Sequence, residues 1–407
     1  MPNQAIVAFS GGLDTSMLVP YMRDKHGMEK IVTCTVDTGG MSDDEVKAVA
    51  ARSKEVGADE HIHVDAAEEF YAEIIKYLIF GNVSRDGYPL CVGAERLIQA
   101  RGAVRTAREK GIDTVVHGST GAGNDQYRFD LVGYVLGQAD DSKGWPAIKI
   151  MAPVREHGIK REFSQDYLRD RGISVSEKSA YSYNVGLWGV SIGGKETLTA
   201  GGLIPESAWY GQIDPKAGAQ TLAITFDRGE PVSLSVDGQV TNGPLNVILA
   251  LAKIGARLGI GRHYHVGTSV PGKKGRLAYE SPAADILYEA HATLEKITLT
   301  QPQIFFKKSV ATEFGRLIHE AKFFDPLMQD LQAYLESSQR RVSGVCTVHM
   351  KPGRIEAVTA DTPYDLLSAS GSVYGEYASF YSPADAIGSS KINAYEQVIY
   401  RGVKEAE

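Results

Sequence analysis

Ala5-Ile6-Val7-Ala8-Phe9-Ser10-Gly11-Gly12-Leu13-Asp14-Thr15-Ser16 is the stretch that decides the fold. Ala5 to Phe9 is an unbroken apolar run of strand length, which fits a strand buried on both faces. Ser10-Gly11-Gly12 ends it, and Met17, Leu18 and Tyr21 continue as a helix. A buried strand, a Gly-rich turn and a helix together open a βα unit of a parallel sheet. The turn is also suited to an anion. Glycine backbone takes positive φ and allows close approach, and a helix N-terminus offers unpaired N–H groups and the positive end of its dipole. Ser10, Thr15 and Ser16 add hydroxyls. No lysine is present, so the turn is not a P-loop. The near-match running from Gly189 to Gly194-Lys195 ends in Glu196 where Ser or Thr is required. Asp14 would repel phosphate unless it caps a local N–H or Mg²⁺ bridges the two.

The same rhythm extends outward. Ile31 to Val36 is a second β-rich run, closed by Asp37-Thr38-Gly39-Gly40, and a helix with Val46, Ala50 and Val56 on one face follows. His61-Ile62-His63-Val64 reads as a third strand. A helix from about Glu95 to Lys110 precedes Thr114-Val115-Val116, which stops at His117-Gly118. Short apolar strands alternating with amphipathic helices predict a doubly wound parallel α/β domain, here over residues 1–165. Ligands of such sheets sit beyond the strands' carboxyl ends, where these Gly-rich segments lie. The pattern then changes. Leu222 to Phe226 and Val232 to Val236 read as a hairpin around Asp227-Arg228-Gly229-Glu230, and Val342 to Met350 and Ile355 to Thr359 as another. Pro244, Pro282 and Asp325-Pro326 open helices between them. This predicts an α+β domain over 166–362, followed by a mostly helical arm over 363–407.

Composition narrows the function. The chain has 407 residues, with 43 Lys plus Arg against 50 Asp plus Glu, a net charge of −7. That sign disfavours a nucleic-acid partner, whose binding rests on neutralising phosphates. No stretch approaches the roughly 18 to 20 apolar residues of a membrane span. Met1-Pro2-Asn3-Gln4 lacks the basic segment of an export signal. The three cysteines, Cys34, Cys91 and Cys346, are widely spaced, which fits free thiols in a cytoplasmic protein. Glycine is abundant, 43 residues, and gathers in a few loops.

One of those loops narrows the choice further. His117-Gly118-Ser119-Thr120-Gly121-Ala122-Gly123-Asn124-Asp125-Gln126-Tyr127-Arg128-Phe129 follows a strand and so faces the same crevice. It concentrates amide, carboxylate and guanidinium groups, as a site for zwitterions does: Arg clamps carboxylates and Asp pairs with ammonium. The string from Ala8 to Ser16 resembles the pyrophosphate loop of the ATP-pyrophosphatase (PP-loop) superfamily. The block from His117 to Phe129 closely resembles the HG-x-TG-x-GNDQ-x-RF signature of the argininosuccinate synthase family. Further matches follow in order at Asp37-Thr38-Gly39, Tyr88-Pro89-Leu90, Ala152-Pro153-Val154-Arg155, Leu187-Trp188-Gly189-Val190-Ser191, Gly259-Ile260-Gly261-Arg262 and Tyr279-Glu280-Ser281-Pro282-Ala283.

The resemblance implies a ligase that uses ATP with Mg²⁺, adenylates citrulline and then joins it to aspartate. It implies ATP and pyrophosphate contacts at Ala8, Phe9, Ser10, Gly11, Gly12, Leu13, Asp14, Thr15, Ser16, Thr35 and Gly118, with Asp14 reaching a metal through the phosphates. It implies aspartate contacts at Thr120, Asn124 and Asp125, and citrulline contacts at Tyr88, Asn124, Arg128, Ser182, Ser191 and Tyr279. His117 is a candidate near the nucleotide; a general base is not assigned. A homotetramer, with the C-terminal arm crossing between subunits, is implied in the same way. The chain departs from the family pattern at Gly93, Gly186, Gly267 and Ala122, where polar residues are usual. At about 1 kcal/mol per lost hydrogen bond, the losses at Gly93 and Gly267 would weaken citrulline about tenfold. Two other readings therefore stand beside the first: the same chemistry on a different ureido or amide acceptor, and a catalytically silent ATP-binding relative.

Overall fold

The computed structural model describes residues 3–175 and 181–403. In chain order its first unit runs β1 (Gln4–Ala8), α1 (Leu13–His26), β2 (Lys30–Asp37), α2 (Asp43–Glu55), β3 (Glu60–Asp65), α3 (Ala67–Phe70), α4 (Lys76–Gly81), α5 (Cys91–Lys110), β4 (Thr114–Val116), α6 (Asp125–Leu136), β5 (Lys149–Met151), α7 (Pro153–Glu156) and α8 (Arg161–Arg169). The strands form one sheet in the order β3-β2-β1-β4-β5, every pair parallel. Alternation along each strand serves two cores. Ala5, Val7 and Ile31 pack beneath α1, α2 and α8 with Met17, Leu18, Val56 and Leu168. Ile6, Val32 and Val115 pack beneath α5 and α6 with Leu97, Ile98 and Val132. The doubly wound domain expected from the sequence is present. Its strand order reverses between β1 and β4, which opens a crevice at their carboxyl ends.

α8 belongs to this unit. Ser164 Oγ donates to Asp14 Oδ1 at 3.1 Å and the Tyr167 hydroxyl donates to Asp24 Oδ2 at 2.7 Å, both on α1. We therefore place the end of the first domain beyond α8 rather than at residue 165.

The second unit runs β6 (Ser182–Gly186), β7 (Gly189–Gly193), β8 (Gln220–Asp227), β9 (Glu230–Val236), β10 (Gln239–Asn242), α9 (Pro244–Arg257), β11 (Arg262–Thr268), β12 (Lys274–Glu280), α10 (Pro282–Thr298), α11 (Gln301–His319), α12 (Pro326–Ser338), β13 (Gly344–Lys351) and β14 (Arg354–Asp361). The two expected hairpins, β8–β9 and β13–β14, are present and join through β8–β13 into one antiparallel sheet, β10-β9-β8-β13-β14. A further antiparallel sheet, β11-β12-β7-β6, was not legible in the sequence. α5 packs against β6, β7 and α11 as well as β1 and β2, so one helix forms a wall common to both units. Beyond β14 come α13 (Leu366–Ala369) and α14 (Pro383–Gly402); α14 buries none of its residues, and Phe380 just before it is 97% exposed. The expected arm's last residues, 404–407, lie outside the described residues.

Candidate active site

A cleft of about 1020 Å³ lies at the β1–β4 reversal and is walled on its other side by β6, β7, β11 and β12. At one end the chain leaves β1. Gly11 there takes φ +73, a left-handed turn that favours glycine. Gly12 caps α1, Ser10 Oγ lies 3.2 Å from Thr15 Oγ1, and the Gly12 N–H donates to Ser10 Oγ at 3.3 Å. Ala8, Phe9, Ser10, Gly12, Leu13, Asp14, Thr15, Thr35 and Gly118 all line the cleft at this end. Gly11 and Ser16 do not. The Ser16 side chain is buried; its hydroxyl donates to the Gly11 carbonyl at 3.2 Å and accepts from Arg52 Nε at 3.0 Å. Ser16 thus holds the loop from behind. Asp14 Oδ1 accepts from Ser164, so this carboxylate also anchors α8.

His117 lines the cleft but is spoken for. Its Nδ1 accepts from the Ser119 N–H at 3.3 Å, so Nε2 carries the proton and donates to Asp130 Oδ1 at 3.1 Å. The ring stacks on Phe129 with centroids 5.2 Å apart. These contacts fix the loop after β4. Thr120, Asn124, Asp125, Tyr88, Arg128, Ser182 and Ser191 also line the cleft. Tyr279 does not. Its hydroxyl donates to the Gly87 carbonyl at 3.0 Å and its ring lies edge-on to Tyr88, so it supports Tyr88 from behind.

Asp125 stands at the start of α6, shared between two guanidiniums: Arg96 Nε donates to Oδ2 at 3.1 Å and Arg128 Nη1 to Oδ1 at 3.1 Å. Burial pushes its pKa up, but the two arginines outweigh that and hold it below the usual carboxylate value. Arg96 also donates to Asn184 Oδ1 at 2.6 Å, and Asn184 Nδ2 donates to Ser191 Oγ at 3.3 Å. Asn124 Oδ1 accepts from the Val270 N–H at 2.9 Å, which ties the β11–β12 turn to the cleft. Arg96, Asn184, Arg85, His265, His319 and Arg161 line the same cleft and carried no signal in the sequence reading. A lone arginine or histidine in a helix or strand reads as surface. Arg161 does follow Lys160, a basic pair at a helix start.

With this geometry in view, comparison with known families matches residues 4–174 to the arginosuccinate synthase N-terminal HUP domain and residues 181–400 to the arginosuccinate synthase C-terminal domain. The chain belongs to the argininosuccinate synthase family. Among its relatives, the argininosuccinate synthase of Xylella fastidiosa is 35% identical over 100% of this chain and 99% of its own. That of Xanthomonas campestris is 34% identical over 98% of each chain, and that of Methanocaldococcus jannaschii 34% over 90% of this chain and 91% of its own.

In this argininosuccinate synthase family member, the glycine at 186 has a steric cause. A Cβ there would meet Glu95 Oε2 at 1.9 Å. Glu95 is buried; its Oε2 accepts from Thr38 Oγ1 at 3.2 Å and its Oε1 from Arg96 Nη1 at 3.2 Å. Gly186→Ala will therefore cost about 1 to 3 kcal/mol, the usual range for overpacking. In a Glu95→Ala background most of that cost will vanish. Chemical denaturation of the four proteins of the cycle measures both values.

Burial pushes the Glu95 carboxyl up to about 7, against the opposing pull of Arg96 and Thr38. The native state therefore keeps a proton that the unfolded chain loses near 4.5. The stabilisation is full below that pH and is lost as pH rises through about 7. Thermal melts from pH 5 to 8 will show wild type losing stability more steeply than Glu95→Gln.

Proposed function

We propose that this chain is an ATP-dependent carbon–nitrogen ligase of arginine biosynthesis, joining citrulline to aspartate to give argininosuccinate, AMP and pyrophosphate. The observation that carries this reading is the convergence of two Gly-rich loops, after β1 and β4, on one cleft with the Arg96–Asp125–Arg128 cluster. In the first step the citrulline ureido oxygen attacks the α-phosphorus, and the bond to the β-phosphate oxygen breaks. The loop from Ser10 to Thr15 holds the leaving pyrophosphate by backbone N–H groups and hydroxyls. Mg²⁺ would rest on phosphate oxygens with Asp14 as its protein carboxylate and would neutralise charge on the leaving group. The donor set fits such a hard cation, which usually takes one or two carboxylates plus substrate phosphates. In the second step the aspartate amine attacks the activated carbon, the carbon–oxygen bond to AMP breaks, and the nitrogen, which enters as an ammonium, releases two protons to solvent and keeps one in the product guanidinium. Thr120, Asn124 and Asp125 hold the aspartate. Tyr88, Asn124, Arg128, Ser182 and Ser191 hold the citrulline. Effective molarity does much of the work, since the partners differ in charge and are placed side by side.

We place the protein in the cytoplasm as a homotetramer, with α14 and the exposed residues before it reaching onto other copies. The test is pyrophosphate release from Mg-ATP with citrulline and aspartate, each omitted in turn. Release that requires citrulline supports the proposal. Release only with other ureido or amide compounds moves the acceptor elsewhere, and ATP binding without turnover on any acceptor contradicts a ligase.

A further inference from the structure

We infer that the cleft end remote from the Gly-rich loop after β1 recognises its acceptor through a carboxylate alone, so that ω-ureido acids lacking an α-amino group are substrates at least as good as citrulline, with His265 setting that preference. The inference rests on the proposed ligase reading and deepens it.

This end is lined by Arg85, Tyr88, Arg128, His265, Gly267 and His319. His265 stands there because residue 267 has no side chain: a Cβ on Gly267 would meet His265 Nε2 at 2.3 Å. The imidazole stacks on the Tyr88 ring, centroids 5.0 Å apart at 23°. The Arg128 guanidinium lies against Gly93 in the same way, with a Cβ there falling 2.9 Å from Nη2. Two glycines thus admit two nitrogen-bearing side chains to one pocket. Two donors in it are uncommitted: Arg128 Nε is buried without a hydrogen-bond partner, and no salt bridge engages Arg85 among the described residues.

One carboxylate reaches this end: Asp125, whose Oδ1 accepts from Arg128 Nη1 at 3.1 Å. Asp14, Asp37 and Asp125 are those lining the cleft. Asp14 accepts from Ser164, Asp37 accepts from the Gly39 and Gly40 N–H groups, and Asp125 is divided between Arg96 and Arg128. Asp86, close enough to His265 to act on its charge, is exposed and does not line the cleft; Glu320, beside His319, is paired with Arg316 and Lys322. The pocket therefore offers the unpaired Arg85 guanidinium, the free Nε of Arg128 and the His265 imidazole, while burial and the nearby arginines keep His319 neutral at pH 7. Such a set holds a carboxylate by charge-assisted hydrogen bonds. An ammonium would face an excess of positive charge, because the one carboxylate in reach, Asp125, is already shared by Arg96, Arg128 and the proposed aspartate ammonium.

The test measures pyrophosphate release from Mg-ATP and aspartate with three acceptors: citrulline, ureidopentanoate (citrulline without its α-amino group) and citrullinamide (its carboxylate masked). Ureidopentanoate should match or exceed citrulline in kcat/KM, and citrullinamide should fall about a hundredfold below both. His265→Glu puts a carboxylate in the same space. It should move the citrulline-to-ureidopentanoate ratio about tenfold toward citrulline, through KM, with the KM for ATP unchanged. A wild-type preference for citrulline of about tenfold or more would overturn the inference. So would an unmoved ratio in a folded His265→Glu. The wild-type comparison decides even if that variant does not fold. Release with citrulline alone removes this inference and leaves the proposed function standing; release with no acceptor removes both.

Discussion

Asp125→Ala will lower kcat/KM for aspartate by about a thousandfold while ATP still binds, because it removes the shared partner of two guanidiniums at once. Asp125 is half-buried, and truncating one partner of a hydrogen-bonded charge pair at a binding site costs about 2 to 5 kcal/mol. Here Arg96 and Arg128 each lose a 3.1 Å hydrogen bond to that carboxylate. The proposed aspartate ammonium loses its counter-charge in the same change. Asp125→Asn keeps the shape and drops the charge, so it separates the two losses: a raised KM for aspartate with near-normal ATP binding marks the ammonium contact. An unchanged aspartate KM in either variant would show that Asp125 only organises the arginines.

Gly118→Val should have a comparable effect at the other end. A Cβ on Gly118 would already approach Thr15 Cγ2 to 3.2 Å, so a branched side chain must push into the space between the two Gly-rich loops. The site is at the cleft wall rather than in the core, and the fold should persist. Calorimetric titration with ATP should show affinity reduced about a hundredfold or more, roughly 3 kcal/mol. Near-normal ATP affinity in a folded Gly118→Val would place the phosphates away from this contact.

The sequence made the first unit legible because its signals are local. Ala5 to Phe9, Ile31 to Val36 and Thr114 to Val116 are short apolar runs, and all lie in the parallel sheet. The Gly-rich turns after them had to lie at its carboxyl edge. The β11-β12-β7-β6 sheet escaped notice because its strands lack that signal. Tyr183-Asn184-Val185-Gly186 and His263-Tyr264-His265-Val266-Gly267 mix ring, amide and glycine residues, because one face lines a polar cleft. Glu95 was invisible for a different reason. A glutamate within a helix reads as solvent-facing, and only the close passage of Gly186 shows that it is buried. Gly186 and Gly267, met in the sequence as lost polar contacts, turn out to make room for Glu95 and His265. Ser16 and Tyr279 show the converse. The resemblance put them at the ligands, and their hydroxyls donate to the Gly11 and Gly87 carbonyls.

In the proposed reaction an acceptor's ureido oxygen displaces pyrophosphate and leaves with AMP. Citrulline carrying oxygen-18 in its ureido group tests it directly. With Mg-ATP and aspartate, mass spectrometry should find one labelled oxygen in each AMP and none in the pyrophosphate. AMP formed without label, or pyrophosphate released with none of the label moving to AMP, would contradict it.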